Sequence, residues 1–186
     1  MRVIAGRARR IPLVTPEGMS TRPTTDRIKE TLFNMIQGEL PSCIFVDLYA
    51  GSGGIGIEAI SRGASRAYFC EMNPKAISCI RENLKKTRFV EEARVLSKDC
   101  LEGIKEICRI ESHIDIIFMD PPYDKEEEKR ILLACQSIEA VDENTLIIVE
   151  ASKDTSFDYL NDSAFEVEKV KSYGSNKHVF VRKTGK

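Results

Sequence analysis

Apolar positions along this chain follow two alternating rhythms. Short runs that are apolar almost throughout occupy 44–48, 66–71, 93–96, 114–119 and 145–150. Such runs predict strands buried on both faces. Between them lie 54–62, 74–87, 99–109 and 125–139, where apolar residues recur three and four positions apart and predict amphipathic helices. In 74–87, Ile77, Ile80 and Leu84 share one face, while Arg81, Lys85 and Lys86 lie elsewhere. Pro74 suits the first turn of that helix and Asn73 its cap. Strand–helix alternation predicts an α/β fold, a parallel sheet with helices on both faces.

The ends depart from this rhythm. Val3-Ile4 and the apolar residues from Ile11 to Val14 flank a basic, glycine-containing stretch, which predicts a hairpin over 2–14. Thr24 or Thr25 is placed to cap a helix whose face is Ile28, Leu32, Met35 and Ile36. At the far end, 165–173 and 177–182 flank Gly174-Ser175-Asn176 and predict a closing antiparallel hairpin. Five strands of a parallel sheet followed by a hairpin is an informative order, because an ordinary nucleotide-binding sheet would continue with parallel strands.

At 186 residues the chain has room for one domain with a small appendage. We divide it into an N-terminal extension, 1–40, and a main domain, 41–186. No stretch approaches the roughly 20 apolar residues of a membrane span, and Arg2 and Arg7 turn the N-terminus basic too soon for a secretory signal. A cytoplasmic, monomeric protein with no membrane partner is expected. The six cysteines, Cys43, Cys70, Cys79, Cys100, Cys108 and Cys135, show no C-x-x-C spacing and no cluster with His113 or His178. They read as reduced thiols packed as small apolar groups, and no metal site is expected. The net charge of −1 hides an asymmetry. Residues 1–38 carry seven Lys and Arg against three acids, and 165–186 carry six against two. Basic ends on an acidic body suit a polyanion held at one edge, although scattered solubilising charge would give the same count.

Two stretches carry chemistry. Asp47-Leu48-Tyr49-Ala50-Gly51-Ser52-Gly53-Gly54-Ile55-Gly56 follows a strand and opens a helix, and Gly51, Gly53 and Gly56 satisfy G-x-G-x-x-G. Glycines there allow a tight turn and a ligand against the backbone. Twenty positions after Gly51, Glu71 ends the second strand, where a carboxylate accepts hydrogen bonds from ribose hydroxyls. An adenosine-containing cofactor follows. Asp47 would repel a pyrophosphate and attract the cationic amine of S-adenosylmethionine, directly or through water. Asp99, after the third strand, is placed to reach the adenine amino group, to cap a helix, or both.

The second stretch is Asp120-Pro121-Pro122-Tyr123, after the fourth strand. Two prolines stiffen the loop and offer carbonyls with no amide hydrogens of their own. Asp120 and the Pro121 carbonyl can accept both hydrogens of a planar amino group, leaving its lone pair for a methyl. Tyr123 supplies a face for a flipped base. By itself this tetrapeptide also suits a rigid turn with an aromatic plug; beside the glycine loop and Glu71 it reads as an amino-methyltransferase site.

These motifs together resemble the Rossmann-like methyltransferases, and most closely the RsmD family of bacterial 16S ribosomal RNA guanine N2-methyltransferases. The resemblance rests on Arg22-Pro23-Thr24-Thr25-Asp26-Arg27 with Glu30-Thr31-Leu32-Phe33-Asn34, the stretch 47–64, Cys70-Glu71-Met72-Asn73, Asp120 to Tyr123, and Tyr173-Gly174. It implies a seven-stranded, mostly parallel sheet whose last hairpin places one antiparallel strand inside it. It also implies S-adenosylmethionine as cofactor, S-adenosylhomocysteine as product, and ribosomal RNA as partner, free or in an assembling small subunit. The cofactor contacts it implies come from Arg22, Thr24, Thr25, Asp47, Gly51, Ser52, Gly53, Gly56, Glu71, Met72, Asn73, Asp99, Cys100 and Asp120. Asp120, Pro121, Pro122 and Tyr123 form the catalytic loop. Arg2, Arg7, Arg9 and Arg10 are expected to hold RNA phosphates, having no acid near them in sequence. The family's hairpin usually carries a glycine near Arg10 and another basic residue near Ile11; this chain keeps the charge and not that pattern. DNA adenine and protein glutamine methyltransferases share the tetrapeptide motif or a close variant. A nicotinamide-dependent oxidoreductase would share only the glycine loop, and an inactive RNA-binding module would have no use for Asp120 and Tyr123.

Overall fold

A computed structural model describes residues 1–16, 26–123 and 125–184. In chain order it runs α1 (Asp26–Met35), β1 (Ile44–Leu48), α2 (Gly54–Ser61), β2 (Arg66–Cys70), α3 (Pro74–Thr87), β3 (Ala93–Leu96), α4 (Cys100–Ile107), β4 (Ile116–Met119), α5 (Glu127–Cys135), β5 (Leu146–Ser152), β6 (Phe165–Tyr173) and β7 (Asn176–Lys183). The sheet order is β3-β2-β1-β4-β5-β7-β6. β1 to β5 are parallel, and β7 lies antiparallel between β5 and β6. This is the Rossmann-like methyltransferase arrangement, with the inserted antiparallel strand that the family resemblance implied.

Alternation along each buried strand feeds two cores. Phe45, Phe69, Phe118, Ile148 and Phe180 project to the face covered by α1, α2 and α3, where they meet Leu32, Phe33, Ile57, Ile60 and Ile80. Val46, Tyr68, Ile117, Ile147 and Val179 project to the other face, against Ile104 and Ile107 of α4 and Ile131 and Leu132 of α5. Val3, Ala8 and Leu13 of the N-terminal segment belong to the first core. α3 has the predicted bounds: Asn73 Oδ1 accepts from the Lys75 amide at 2.9 Å, and Pro74 follows. α4 and α5 stop short of the predicted ends. Beyond Cys135, Gln136 turns its side chain to the Ala164 amide at 2.9 Å. All six cysteines are free thiols, and among the described residues no helix is long and apolar enough to cross a membrane.

The N-terminal stretch forms the predicted hairpin in its shortest form. Arg2 bridges Pro12, the Val3 amide donates to the Ile11 carbonyl at 3.0 Å, and the Leu13 amide donates to the Met1 carbonyl at 3.1 Å. Amides nearer its tip turn to α2. Ile4 and Ala5 donate to the Glu58 carboxylate at 2.8 and 3.0 Å, Arg7 to the Ser61 carbonyl at 2.8 Å, and Ala8 to the Ser61 hydroxyl at 3.0 Å. The segment therefore divides its donors between its own two arms and α2. Gly6 permits this approach: a Cβ there would lie 1.8 Å from the Ser61 carbonyl oxygen. Arg10 holds φ 71°, the left-handed conformation that favours the glycine the family places nearby.

Candidate functional site

The carboxyl ends of β1, β2, β4 and β5 form one edge of the sheet, as ligand sites in such folds require. After β1 the chain turns through Tyr49, and Gly53, at φ 79°, opens α2. At Gly56 a Cβ would come within 2.4 Å of the Phe69 ring, so that glycine lets α2 lie close on β2. Asp47 sits beneath this loop, 1% exposed, and its Oδ2 accepts from the Gly56 amide at 2.9 Å. Burial pushes its carboxyl up to about 7, against the opposing pull of that amide. Its direct partner is thus the helix start, and its charge acts on the loop from below.

Glu71 faces the same loop from β2. Its Oε2 accepts from the Gly51 amide at 2.8 Å, and its Oε1 from the Met72 and Asn73 amides at 2.9 and 2.8 Å. Beside it, a pocket of about 100 Å³ is lined by Tyr49, Cys70, Glu71, Met72, Lys98, Asp99 and Cys100. Four of the expected cofactor residues, Glu71, Met72, Asp99 and Cys100, therefore meet around one space. Met72 is 66% exposed at its rim. Asp99 does cap α4, accepting from the Leu101 amide at 3.0 Å, while Arg130 pairs with its other oxygen at 3.1 Å. Burial would raise the Asp99 carboxyl, but the Leu101 amide and Arg130 outweigh it and hold it below its ordinary value. Ser52 and Asn73 stand outside this pocket: the Ser52 carbonyl accepts from the Asn83 amide group at 2.9 Å, and Asn73 is occupied as the α3 cap. Arg22, Thr24 and Thr25 lie outside the described residues.

Asp120 follows β4, beside the glycine loop because β1 and β4 are neighbours. It is half-buried, with Pro121 buried and Pro122 and Tyr123 exposed at the rim. Burial, then Glu150, then Asp47 push the Asp120 carboxyl up to about 8. Glu150, near the end of β5, is buried and 3.2 Å from His178 Nε2 of β7. Asn176 donates from Nδ2 to the Tyr123 hydroxyl at 2.7 Å and to Glu150 at 3.1 Å. Sequence reasoning missed Glu150, Asn176 and His178. The available signal was that Glu150 ends an apolar run just as Asp120 does.

The N-terminal arginines fare differently from their sequence surroundings. Arg2 pairs with Asp26 at 2.9 Å and Arg7 with Glu92 at 3.0 Å, so the expectation that none of the four meets an acid is corrected. Arg7 also lies 4.8 Å over the Phe89 ring. The fold supplies these acids from 24 and 85 positions away. Arg9 and Arg10 are exposed and make no ion pair among the described residues. With Arg2 and Arg27 they line a cavity of about 330 Å³.

Known proteins share this architecture and sequence. A family model described as "Conserved hypothetical protein 95" matches residues 1–182. The "Ribosomal RNA small subunit methyltransferase D" of Haemophilus influenzae is 36% identical over 158 residues, covering 83% of this chain and 80% of that protein. The protein of the same name from Buchnera aphidicola subsp. Acyrthosiphon pisum is 31% identical over 135 residues, 73% of this chain and 69% of that one. The solved structure of a hypothetical protein from Thermus thermophilus matches with a TM-score of 0.80 at 26% identity, over 98% of this chain and 99% of that one. By its sequence over nearly its whole length, this chain belongs to the family of small-subunit ribosomal RNA methyltransferase D, the RsmD family.

Proposed function

We propose that this protein transfers the methyl group of S-adenosylmethionine to the exocyclic N2 amine of a guanine in 16S ribosomal RNA. One observation carries the reading: a row of acids, Asp47, Asp120 and Glu150, lines the sheet edge beside a glycine loop, with an exposed tyrosine at its rim. Acids gathered in this way, with Glu150 and Asp47 both raising Asp120, suit a ligand that brings positive charge and hydrogen-bond donors. S-Adenosylmethionine supplies both, with an electrophilic methyl on its sulfonium. The chain's own groups fit it. Glu71 would hold the ribose, Met72 and Cys100 the adenine, Asp99 its amino group, and the loop from Gly51 to Gly56 the methionine end.

Asp120 and the Pro121 carbonyl hold the target amine by its two hydrogens and aim its lone pair. Positioning of this kind accounts for most of the gain. As the new N–C bond forms, the amine sheds a proton, and a carboxyl pushed up to about 8 is suited to take it. Tyr123 stacks on the flipped base. Residues 1–40 serve as an extension that covers the cofactor and presents Arg9, Arg10 and Arg27 to RNA phosphates, while 41–186 perform the chemistry. Mass-spectrometric nucleoside mapping of 16S RNA from cells with and without the protein tests this. Loss of one N2-methylguanosine is expected; an unchanged guanine profile overturns the reading.

A further inference from the structure

Strand register places three side chains in line at the sheet edge. β4 and β5 align Met119 with Val149, so the next residues, Asp120 and Glu150, stand side by side. β7 sets His178 opposite Glu150. Paired residues of neighbouring strands project to the same face, and here it is the face of Phe118, Ile148 and Phe180. Glu150 lies on the far side of Asp120 from the glycine loop, because the sheet runs β1-β4-β5. That is the side from which a base must approach if the cofactor occupies the loop.

β7 fixes Glu150 from behind. His178 is 1% exposed, and its ring stands edge-on to Tyr173, with centroids 5.0 Å apart, and to Phe118, at 6.1 Å. Its Nδ1 has no hydrogen-bond partner, so the tautomer with a proton on Nε2, donated to Glu150, satisfies the pair and leaves only an acceptor unmet. Asn176 ties the other Glu150 oxygen to the Tyr123 hydroxyl. The carboxylate and the stacking ring are thereby held in one frame.

Guanine presents two donors next to each other on its Watson–Crick edge, the N2 amine and the ring N1–H. Adenine presents a lone pair at its ring N1. We propose that Glu150 is a specificity-determining residue that accepts the N1–H of the target guanine while Asp120 holds its N2 amine, and that His178 and Asn176 position it. The proposal rests on the guanine reading above and deepens it. A carboxylate at that place rewards guanine and repels any base with a lone pair there. A site built around such a hydrogen bond rejects the analogue lacking it far more strongly than an apolar pocket does.

The test compares RNA carrying guanosine or 2,6-diaminopurine riboside at the target position. The analogue keeps the 2-amine but has a lone pair at N1. Single-turnover methyl transfer should favour guanosine by at least about 50-fold in the wild type. Glu150→Gln, whose amide can donate to that lone pair, should shrink the preference by about tenfold or more. Glu150→Asp, a second variant that keeps the charge but withdraws it, should lower guanosine transfer and preference together. His178→Ala should also narrow the ratio, and His178→Gln, which keeps a donor, should restore it. A wild type that accepts both bases alike overturns the proposal without any variant. So does a preference unchanged by both Glu150 substitutions. A wild type that leaves guanosine untouched and methylates another base overturns the guanine reading itself, which nucleoside mapping reports separately.

Discussion

Two buried acidic regions of this molecule have opposite surroundings. Glu58, on α2, is fully buried, and its carboxylate is met on every side by its own chain. Lys29 approaches at 3.3 Å, Arg62 donates at 2.8 Å, and the Ile4 and Ala5 amides donate at 2.8 and 3.0 Å. Burial lowers the Lys29 ammonium below its ordinary value, and Glu58 opposes that. At the sheet edge, Asp47 meets the Gly56 amide and Glu150 meets Asn176 and His178, and the shifts of Asp47 and Asp120 record burial that the chain does not offset with cations. The first region is complete and pins the N-terminal segment to the core. The second keeps unmatched negative charge beside the glycine loop, where the proposed cofactor would bring a positive one. A buried carboxylate matched by cations of its own chain is architecture; buried carboxylates whose charge the chain leaves unmatched mark a candidate site.

The largest effect that would break this contrast belongs to Asp120. Asp120→Ala should slow single-turnover methyl transfer at saturating cofactor on the order of 100-fold or more. Cofactor affinity by calorimetry should change little. Transfer at the wild-type rate would make the loop a rigid turn and nothing more. Glu58→Ala should do the reverse. It strands Lys29 unpaired in the core and should cost about 3–5 kcal/mol, read as a lower urea midpoint.

Tyr123 sits between the two cases. Tyr123→Ala should weaken RNA binding by about 1–3 kcal/mol, and Tyr123→Phe should keep most of it, because stacking needs only the ring. Equal losses in a filter-binding titration would move the role to the hydroxyl that Asn176 holds.

Acidity sharpens the contrast further. The folded values of Asp47 and Asp120, about 7 and about 8, lie above those of the unfolded chain, near 4. The folded state therefore binds more protons across that interval. Stability of the ligand-free protein should fall as pH climbs from about 4 to about 8, by at most about 1.4 kcal/mol per pH unit for each group, and level off above. Asp99 and Glu127 are shifted the other way and act below this window. Thermal unfolding should give a higher Tm at pH 6 than at pH 8, and Asp47→Asn should flatten the difference. A Tm that rises with pH over this range would contradict the burial argument.

The smallest effect separates the arginines. Neutralising Arg9 and Arg10 should each reduce the salt slope of RNA binding by about 0.7. Arg2 and Arg7 should count for less, since Asp26 and Glu92 already hold them. Four equal contributions would mean that those pairs open on binding.

Much of this was legible beforehand. The sheet, its closing hairpin, the Asn73 cap and the Asp99 cap follow from local pattern, because hydrophobic period and capping chemistry act over a few residues. The motif residues fell at the predicted strand ends for the same reason. The N-terminal hairpin followed from its pattern too, but its anchoring on Glu58 and Ser61 of α2, some 53 positions away, is something no local pattern encodes.

The amino-acid sequence by itself determined the alternation of strands and helices, the glycine loop, and the placing of Glu71, Asp99 and Asp120 at strand ends. Only the tertiary structure decided which acids meet. Glu58 and Glu150 look alike along the chain, each a single acid in an apolar run. Packing brings Lys29 and Arg62 to the first, and register brings Asp120 and His178 to the second. Electrostatic character in a low-dielectric interior is set by neighbours a few ångströms away, and those neighbours come from distant parts of the chain.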